Sequence, residues 1–222
     1  MKPKILVVFL ALSLMITIAS ILLEVPTSTP YSVFNTGGNG YSLLHDKYSL
    51  TPLINISSIK LSEAQDTVVL IPLLHGLDNY TNNYLLKFLE MGGRIIVLDK
   101  HGYINGFLQE VLGLGIRVEN AAVYDDIFNY RGDRSLPSIK VFVNNANLTC
   151  YLHEPAVISI QTNSSDVRII GFSSRYSLRD NDANGYFNVG DSIGSEPIAI
   201  IINHGKGSLV IVSDLDFLTI NT

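Results

Sequence analysis

Residues 67–99 read TVVLIPLLHGLDNYTNNYLLKFLEMGGRIIVLD, and their reading decides the fold class. The run 68–74 is apolar and opens on β-branched residues, the composition of a strand buried on both faces. His75-Gly76-Leu77-Asp78 follows, placing Asp78, or Asn79 after it, where a side chain caps a helix. Tyr84, Leu85, Phe88, Leu89 and Met91 share one face of that helix, and Asn82, Asn83, Lys87 and Glu90 take the other. Gly92-Gly93 stops it with the left-handed residue that a Cβ resists, and 94–99 is a second apolar strand. Strand, capped helix, double glycine and strand make a βαβ unit, whose strands are expected to be parallel with a right-handed crossover.

Downstream, residues 100–105 lead into a second amphipathic helix with the face Phe107, Leu108, Val111 and Leu112, closed by Gly113 and Gly115. Residues 116–118 are a third short strand. Two successive helix, glycine and strand units predict a three-layer α/β fold around a mostly parallel sheet. Residues 121–137 are polar, carry tyrosines and have no period. From 138 the pattern is all strand, at 139–143, 151–155, 156–160, 167–172, 198–202 and 208–212, with a hairpin signal at Asn203-His204-Gly205-Lys206-Gly207. These strands are expected to extend the sheet in antiparallel fashion. The last ten residues, 213–222, stop where a helix should begin, so the native chain is expected to continue.

Upstream, residues 31–35 read as the first strand, running through Thr36-Gly37-Gly38-Asn39-Gly40 into the short helical pattern 43–46. That spacing is neither a dinucleotide fingerprint nor a P-loop, and it reads as a tight strand-to-helix turn. Residues 52–62 form a connection whose isoleucines 54, 56 and 59 can dip into the core.

The chain has 222 residues, of which 47% are hydrophobic and 16% charged, enough for one core plus a membrane segment. A net charge of -5, with no cluster of Lys and Arg, argues against a nucleic-acid surface. A single cysteine, Cys150, excludes an internal disulfide, and with only five scattered histidines no structural zinc site is expected. Lys2 and Lys4 precede the apolar run 5–23, which Glu24 closes. That length suits a helix crossing a bilayer. A cleaved signal peptide, with Thr17-Ile18-Ala19 at the cleavage site, is the alternative, but Ile21-Leu22-Leu23 continues the run past it. The expectation is therefore an anchor over 1–24, a Pro/Thr/Ser linker over 25–30, and one domain over 31–222. Lysines before the run place the amino terminus in the cytoplasm and the domain outside it. Sequons at Asn55, Asn79, Asn147 and Asn163 fit glycosylation on that side.

Residues 180–191, DNDANGYFNVGD, carry the sharpest local signal. Asp180, Asp182 and Asn184 stand at positions one, three and five, Gly185 at six, the Tyr186 carbonyl at seven and Asp191 at twelve, the oxygen ladder that calcium takes in a twelve-residue loop. Asp is shorter than the usual Glu at the last position, and the flanks are strand and loop rather than paired helices. A solvated turn is the alternative. Gly190-Asp191-Ser192-Ile193-Gly194 matches a nucleophile string but lacks the strand-to-helix elbow. Cys150 reads as a buried thiol. Arg131-Gly132-Asp133 is a common chance string, and none of the histidines has a triad pattern.

Together, Asn35 to His45 (NTGGNGYSLLH), Tyr84 to Leu98, Asp180 to Gly185, and His204 to Asp214 (HGKGSLVIVSD) give the chain its resemblance to a known group. It resembles an uncharacterised family of membrane-anchored proteins, classed as a domain of unknown function, whose extracytoplasmic domain has a class I glutamine amidotransferase-like, flavodoxin-like fold. The resemblance implies that fold, and relatives that act as accessory proteins of transport systems. It does not carry over the activity, because the cysteine elbow with its later His and Glu has no counterpart here.

The resulting expectation is a non-catalytic, membrane-tethered binding domain whose partners are other membrane or envelope proteins. Its ligand is expected at the C-terminal edge of the parallel strands, near Asn35, Gly40, Ser42, His75 and Asp99. Two alternatives stand beside it. One is a hydrolase of an envelope polymer using Asp99, Asp125 or Asp126, and the other is a calcium-stabilised structural domain.

Overall fold

The computed structural model describes residues 12–17, 27–53, 55–143 and 146–219. The chain divides into two compact units, one of residues Met1–Thr51 with Thr219–Thr222 and one of residues Pro52–Leu218.

In the first unit, helix α1 (Ser42–Tyr48) ends on Ser49 in a left-handed conformation. Residues 31–35, read above as a strand, form consecutive turns instead. The Asn35 N–H reaches the Ser32 carbonyl, and the Tyr31 and Tyr41 N–H groups bond to the Asn39 and Ser32 carbonyls. A backbone that satisfies itself this locally has no edge to offer a sheet.

The second unit carries the βαβ element. Strand β1 (Val68–Pro72) runs parallel to β2 (Arg94–Leu98), with Val68 opposite Arg94 and Pro72 opposite Leu98. Helix α2 (Asn79–Glu90) joins them. Asp78 caps it by accepting the Thr81 N–H at 2.6 Å, which holds its carboxyl below the ordinary range. At its other end Gly92, at φ +100, and Gly93 send their N–H groups to the Leu89 and Phe88 carbonyls, the reciprocal closure of a Schellman motif. A Cβ on Gly93 would lie 2.2 Å from the Phe88 ring, so the second glycine also makes room for the core.

Beyond this unit the three-layer, mostly parallel sheet is not what forms. The remaining strands are β3 (Ile116–Tyr124), β4 (Asn129–Tyr130), β5 (Asp133–Val143), β6 (Ala146–Tyr151), β7 (Ala156–Ile160), β8 (Val167–Phe172), β9 (Leu178–Asp180), β10 (Ser192–Ile193), β11 (Pro197–His204) and β12 (Gly207–Val212). The larger sheet has the order β1-β2-β12-β11-β8-β5-β4, with β6 also on β5. Among the described residues only β1, β2 and β12 are mutually parallel; the pairings of β11, β8, β5, β4 and β6 are antiparallel. The second sheet, β10-β9-β3-β7, is antiparallel throughout. Strand dominates, and the flavodoxin-like, amidotransferase-like fold class is corrected to this two-sheet, mostly β arrangement.

Strand β3 explains the departure. It was expected as the third parallel strand, but it pairs with β7 and β9 in the second sheet. The Asn105 carboxamide takes both backbone groups of Val118, donating to its carbonyl and accepting its N–H, each at 2.9 Å. One side chain thus stands where a neighbouring strand would be. The helix expected before β3 shrinks to a π-helical turn, Phe107–Val111. Core residues Leu85, Phe88, Leu89, Phe107 and Leu108 pack with Ile95 and Val97 of β2, Ile200 and Ile202 of β11, Leu209 and Ile211 of β12, and Ile116 and Ile158 of the second sheet.

The expected membrane anchor is also corrected. Among the described residues no helix is long and apolar enough to cross a membrane. Of the run 5–23, residues 12–17 are helical, and the rest lies outside the described residues. The single-pass topology and the extracytoplasmic placement that rested on this anchor are not supported.

Candidate functional site

Asp99 and Ser213-Asp214 directly follow the C-terminal ends of the adjacent parallel strands β2 and β12. The ladder continues one residue beyond them, with the Asp99 N–H on the Val212 carbonyl at 3.0 Å. The Asp99 carboxylate is buried and accepts the N–H groups of His101, Gly102 and Ile104 at 2.8–2.9 Å, folding the loop after β2 back on itself.

Around these strand ends, six titratable side chains from four separated segments converge. Lys100 donates to the His153 carbonyl at 3.3 Å and pairs with Glu154 at 3.2 Å. The other Glu154 oxygen accepts the Tyr124 hydroxyl at 3.3 Å; burial, then the Glu154 charge, pushes that phenol up to about 12. Glu154 sits at φ +46, a conformation costly for a residue with a Cβ. Asp214 is fully buried and accepts the N–H groups of His153 and Asp216 at 2.9 and 2.8 Å. Burial pushes its carboxyl up to about 6, against the pull of those N–H groups and Lys100. His153 Nδ1 lies 3.0 Å from an Asp216 oxygen. Lys100, Tyr124, His153, Glu154, Asp214 and Asp216 were not singled out by sequence reading. The signal available was an acidic residue within two positions of the end of an apolar strand, which Asp214 shares with Asp99.

The other expected ligand residues make local contacts of their own. Asn35, Gly40 and Ser42 belong to the first unit. The Asn35 side chain closes its own turn, accepting the Gly37 N–H at 2.8 Å and donating to the Thr29 carbonyl and Asn39 Oδ1. Gly40 is required there, since a Cβ would fall 1.9 Å from the Asn35 carbonyl oxygen. Ser42 opens α1. His75 lies in the exposed turn after β1, its Nδ1 3.0 Å from the Gly76 carbonyl.

In the 180–191 turn all the carboxylate oxygens accept hydrogen bonds from the turn itself. Asp180 takes the Asp182 and Gly185 N–H groups, and Asp191 takes those of Asn181 and Asn188. Asp182 takes the Asn184 N–H and the Asn184 and Asn188 carboxamides, and its carboxyl is held below the ordinary range first by a side-chain hydrogen bond with Asp180 and then by these donors. The Asn184 Oδ1 accepts the Tyr186 N–H, and Tyr186 is exposed. Among the described residues no group of three or more His, Cys, Asp or Glu side chains is arranged to hold a metal ion. Ser192 sits on the two-residue strand β10 and Cys150 on β6, paired with β5, so neither is at a strand-to-helix elbow. Burial, then the Asp214 charge, pushes the Cys150 thiol up to about 11. Asn55, Asn79, Asn147 and Asn163 are all exposed.

A second cluster surrounds Asp125, which is 1% exposed. One of its oxygens accepts the Ile127 and Phe128 N–H groups at 2.8 Å; the other accepts the Ser174 and Ser177 hydroxyls at 2.5 and 3.1 Å. Two loops are thereby pinned to one carboxylate, and from them Phe128 and Tyr176 stack with ring centroids 6.0 Å apart and planes 22° apart. Ile127, Phe128 and Tyr176 remain 63%, 49% and 41% exposed. Arg134 ties the 180–191 turn to the same end through a 2.7 Å bond to the Gly185 carbonyl, and it pairs with Asp126 at 3.1 Å.

No protein-family model matches the chain, and no curated protein matches it. Among solved structures it shares its fold with the mmIFT52 N-terminal domain, at a TM-score of 0.50 and 18% identity over 80% of this chain and 79% of that one. The β-galactosidases of Rahnella sp. R3 and Bacillus circulans sp. alkalophilus align at TM-scores of 0.42 with 17% and 16% identity. The alignment covers 68% of this chain and 21% of each galactosidase, too slight a likeness to bear on activity.

Proposed function

We propose that the chain is a non-catalytic binding domain whose partner is another protein, received on the aromatic face of Ile127, Phe128 and Tyr176. The observation that carries this reading is the Asp125 carboxylate and its four hydrogen bonds. A buried acid that locks two loops so that large apolar side chains stay in water spends stability on surface shape. Preorganised aromatic anchors of this kind supply much of the energy of protein–protein contacts.

The state of the acids supports the non-catalytic part. Asp99, Asp125 and Asp214 are each engaged by N–H or hydroxyl donors of the same chain. Asp126, the third acid of the hydrolase reading, is exposed and paired with Arg134. A general acid or base needs a lone pair or proton directed at a substrate.

The test compares proteins that co-purify with the wild-type chain and with the Phe128→Ser/Tyr176→Ser double variant. Both residues are exposed, so the fold should survive the exchange. A partner held by the wild type and lost from the variant supports the reading. Equal retention of every partner by a correctly folded variant overturns it.

A further inference from the structure

At the opposite, N-terminal ends of the parallel strands lies an open polar cleft of about 520 Å³. Arg94 opens β2 and stands in register with Ser208 of β12, while Lys206 rides the turn between β11 and β12. Gln65, Asn203 and Ser208 complete its polar wall. Among the described residues no Asp or Glu lines it, and neither Arg94 nor Lys206 has a carboxylate within ion-pair distance.

The cleft is built rather than incidental. A Cβ on Gly207 would lie 2.2 Å from the Gly93 carbonyl oxygen and 2.6 Å from that of Leu89, so the turn carrying Lys206 is seated against the end of α2. The Ser208 N–H bonds to the Gly93 carbonyl at 3.2 Å. The Arg94 guanidinium donates from Nη2 to the Gln65 carbonyl at 3.2 Å, and among the described residues its other N–H groups have no hydrogen-bond partner, which leaves them for a ligand. Arg94 and Lys206 thus place two exposed cations without a carboxylate partner in one cleft of a chain carrying -5 overall, a local charge that favours an anion.

We propose that this cleft binds a phosphate monoester of a small polar molecule. The planar guanidinium offers two parallel N–H groups to a tetrahedral oxyanion, and the lysine adds a point charge, so the pair matches a dianion better than a single carboxylate. Small-molecule sites span roughly 300–1,000 Å³, so the volume leaves space beyond the phosphoryl group. Gln65, Asn203 and Ser208 supply hydrogen bonds for the hydroxyl-bearing remainder.

The experiment titrates the full chain with a sugar monophosphate, with inorganic phosphate and with sodium chloride at matched ionic strength, following amide resonances of Gly92, Gly93 and Ser208. Saturable shifts with the sugar monophosphate, tighter than with inorganic phosphate, are expected. Arg94→Gln and Lys206→Gln should each weaken binding about tenfold or more, the loss of one charge-assisted contact. Lys206 is exposed, so its variant keeps the test valid if Arg94→Gln misfolds. Shifts reproduced by chloride, absent saturation, or binding unchanged in Lys206→Gln overturns the site. Equal affinity for ester and inorganic phosphate overturns the assignment of a small-molecule monoester.

Discussion

The carboxylate of Asp214 accepts the backbone N–H of His153 at 2.9 Å, joining the end of β12 to the loop before β7 across sixty-one positions of sequence. This bond fastens the larger sheet to the strand that enters the second, and it does so with a buried acid whose ionisation burial opposes. The pH dependence follows with a definite sign. The folded value, about 6, lies above the ordinary 3.8, so the native state holds this proton more tightly than the unfolded chain. Its contribution is fully present below about pH 4 and is lost as the pH rises through 6, amounting to at most about 3 kcal/mol. Urea unfolding of wild type and Asp214→Asn at pH 4 to 7 checks this: the stability difference in favour of wild type should shrink as pH rises. A difference independent of pH would show that Asp214 titrates normally.

Removing the Asp125 side chain should be costly in proportion to the donors it orphans. Asp125→Ala leaves two N–H groups and two hydroxyls without their acceptor and is expected to destabilise by about 3 kcal/mol or more. Asp125→Asn keeps one oxygen for the N–H pair, and the serine hydroxyls can turn to accept from the amide, so its cost should be near 1 kcal/mol. Urea midpoints order the two variants, and near-ultraviolet circular dichroism reports whether the Phe128–Tyr176 stack persists.

Two glycines make a matched pair. Gly207→Ala forces a methyl group onto the Gly93 and Leu89 carbonyl oxygens and should lower stability by about 2 kcal/mol or more. Among the described residues nothing lies within 4 Å of the place a Cβ on Gly76 would take, and its φ is not left-handed, so Gly76→Ala should change stability by less than about 1 kcal/mol. Thermal denaturation of both variants measures the contrast, and similar losses would mean that the turn before β12 is not tightly seated.

Chelation tests the 180–191 turn. Its carboxylate oxygens already accept hydrogen bonds from the turn's own N–H groups, so EDTA should leave the melting temperature unchanged and added calcium should not raise it. A drop on chelation, restored by calcium and absent in Asp180→Ala, would show that the turn reopens around a cation.

The βαβ stretch was legible because its signals are local. The apolar runs, the cap at Asp78 and the glycines at 92 and 93 act within a few residues of one another. Little of the candidate site was legible. Asp99 was found from its place after a strand, whereas Asp214 was passed over as the start of an unfinished helix. Its partner His153 lies sixty-one positions away, in a segment read simply as strand.

The amino-acid order alone therefore settled which segments are strand or helix through residues 67–99, and the scarcity of basic clusters and cysteines. Only the folded chain decided that β2 takes β12 as its second parallel neighbour, that Asn105 supplants a strand beside Val118, and that Lys100, Glu154 and Asp214 meet. The reason is physical. Periodicity records which face of a segment is buried, but backbone hydrogen bonding between strands is the same for every sequence, so the choice of neighbour is made by packing and loop closure over the whole chain.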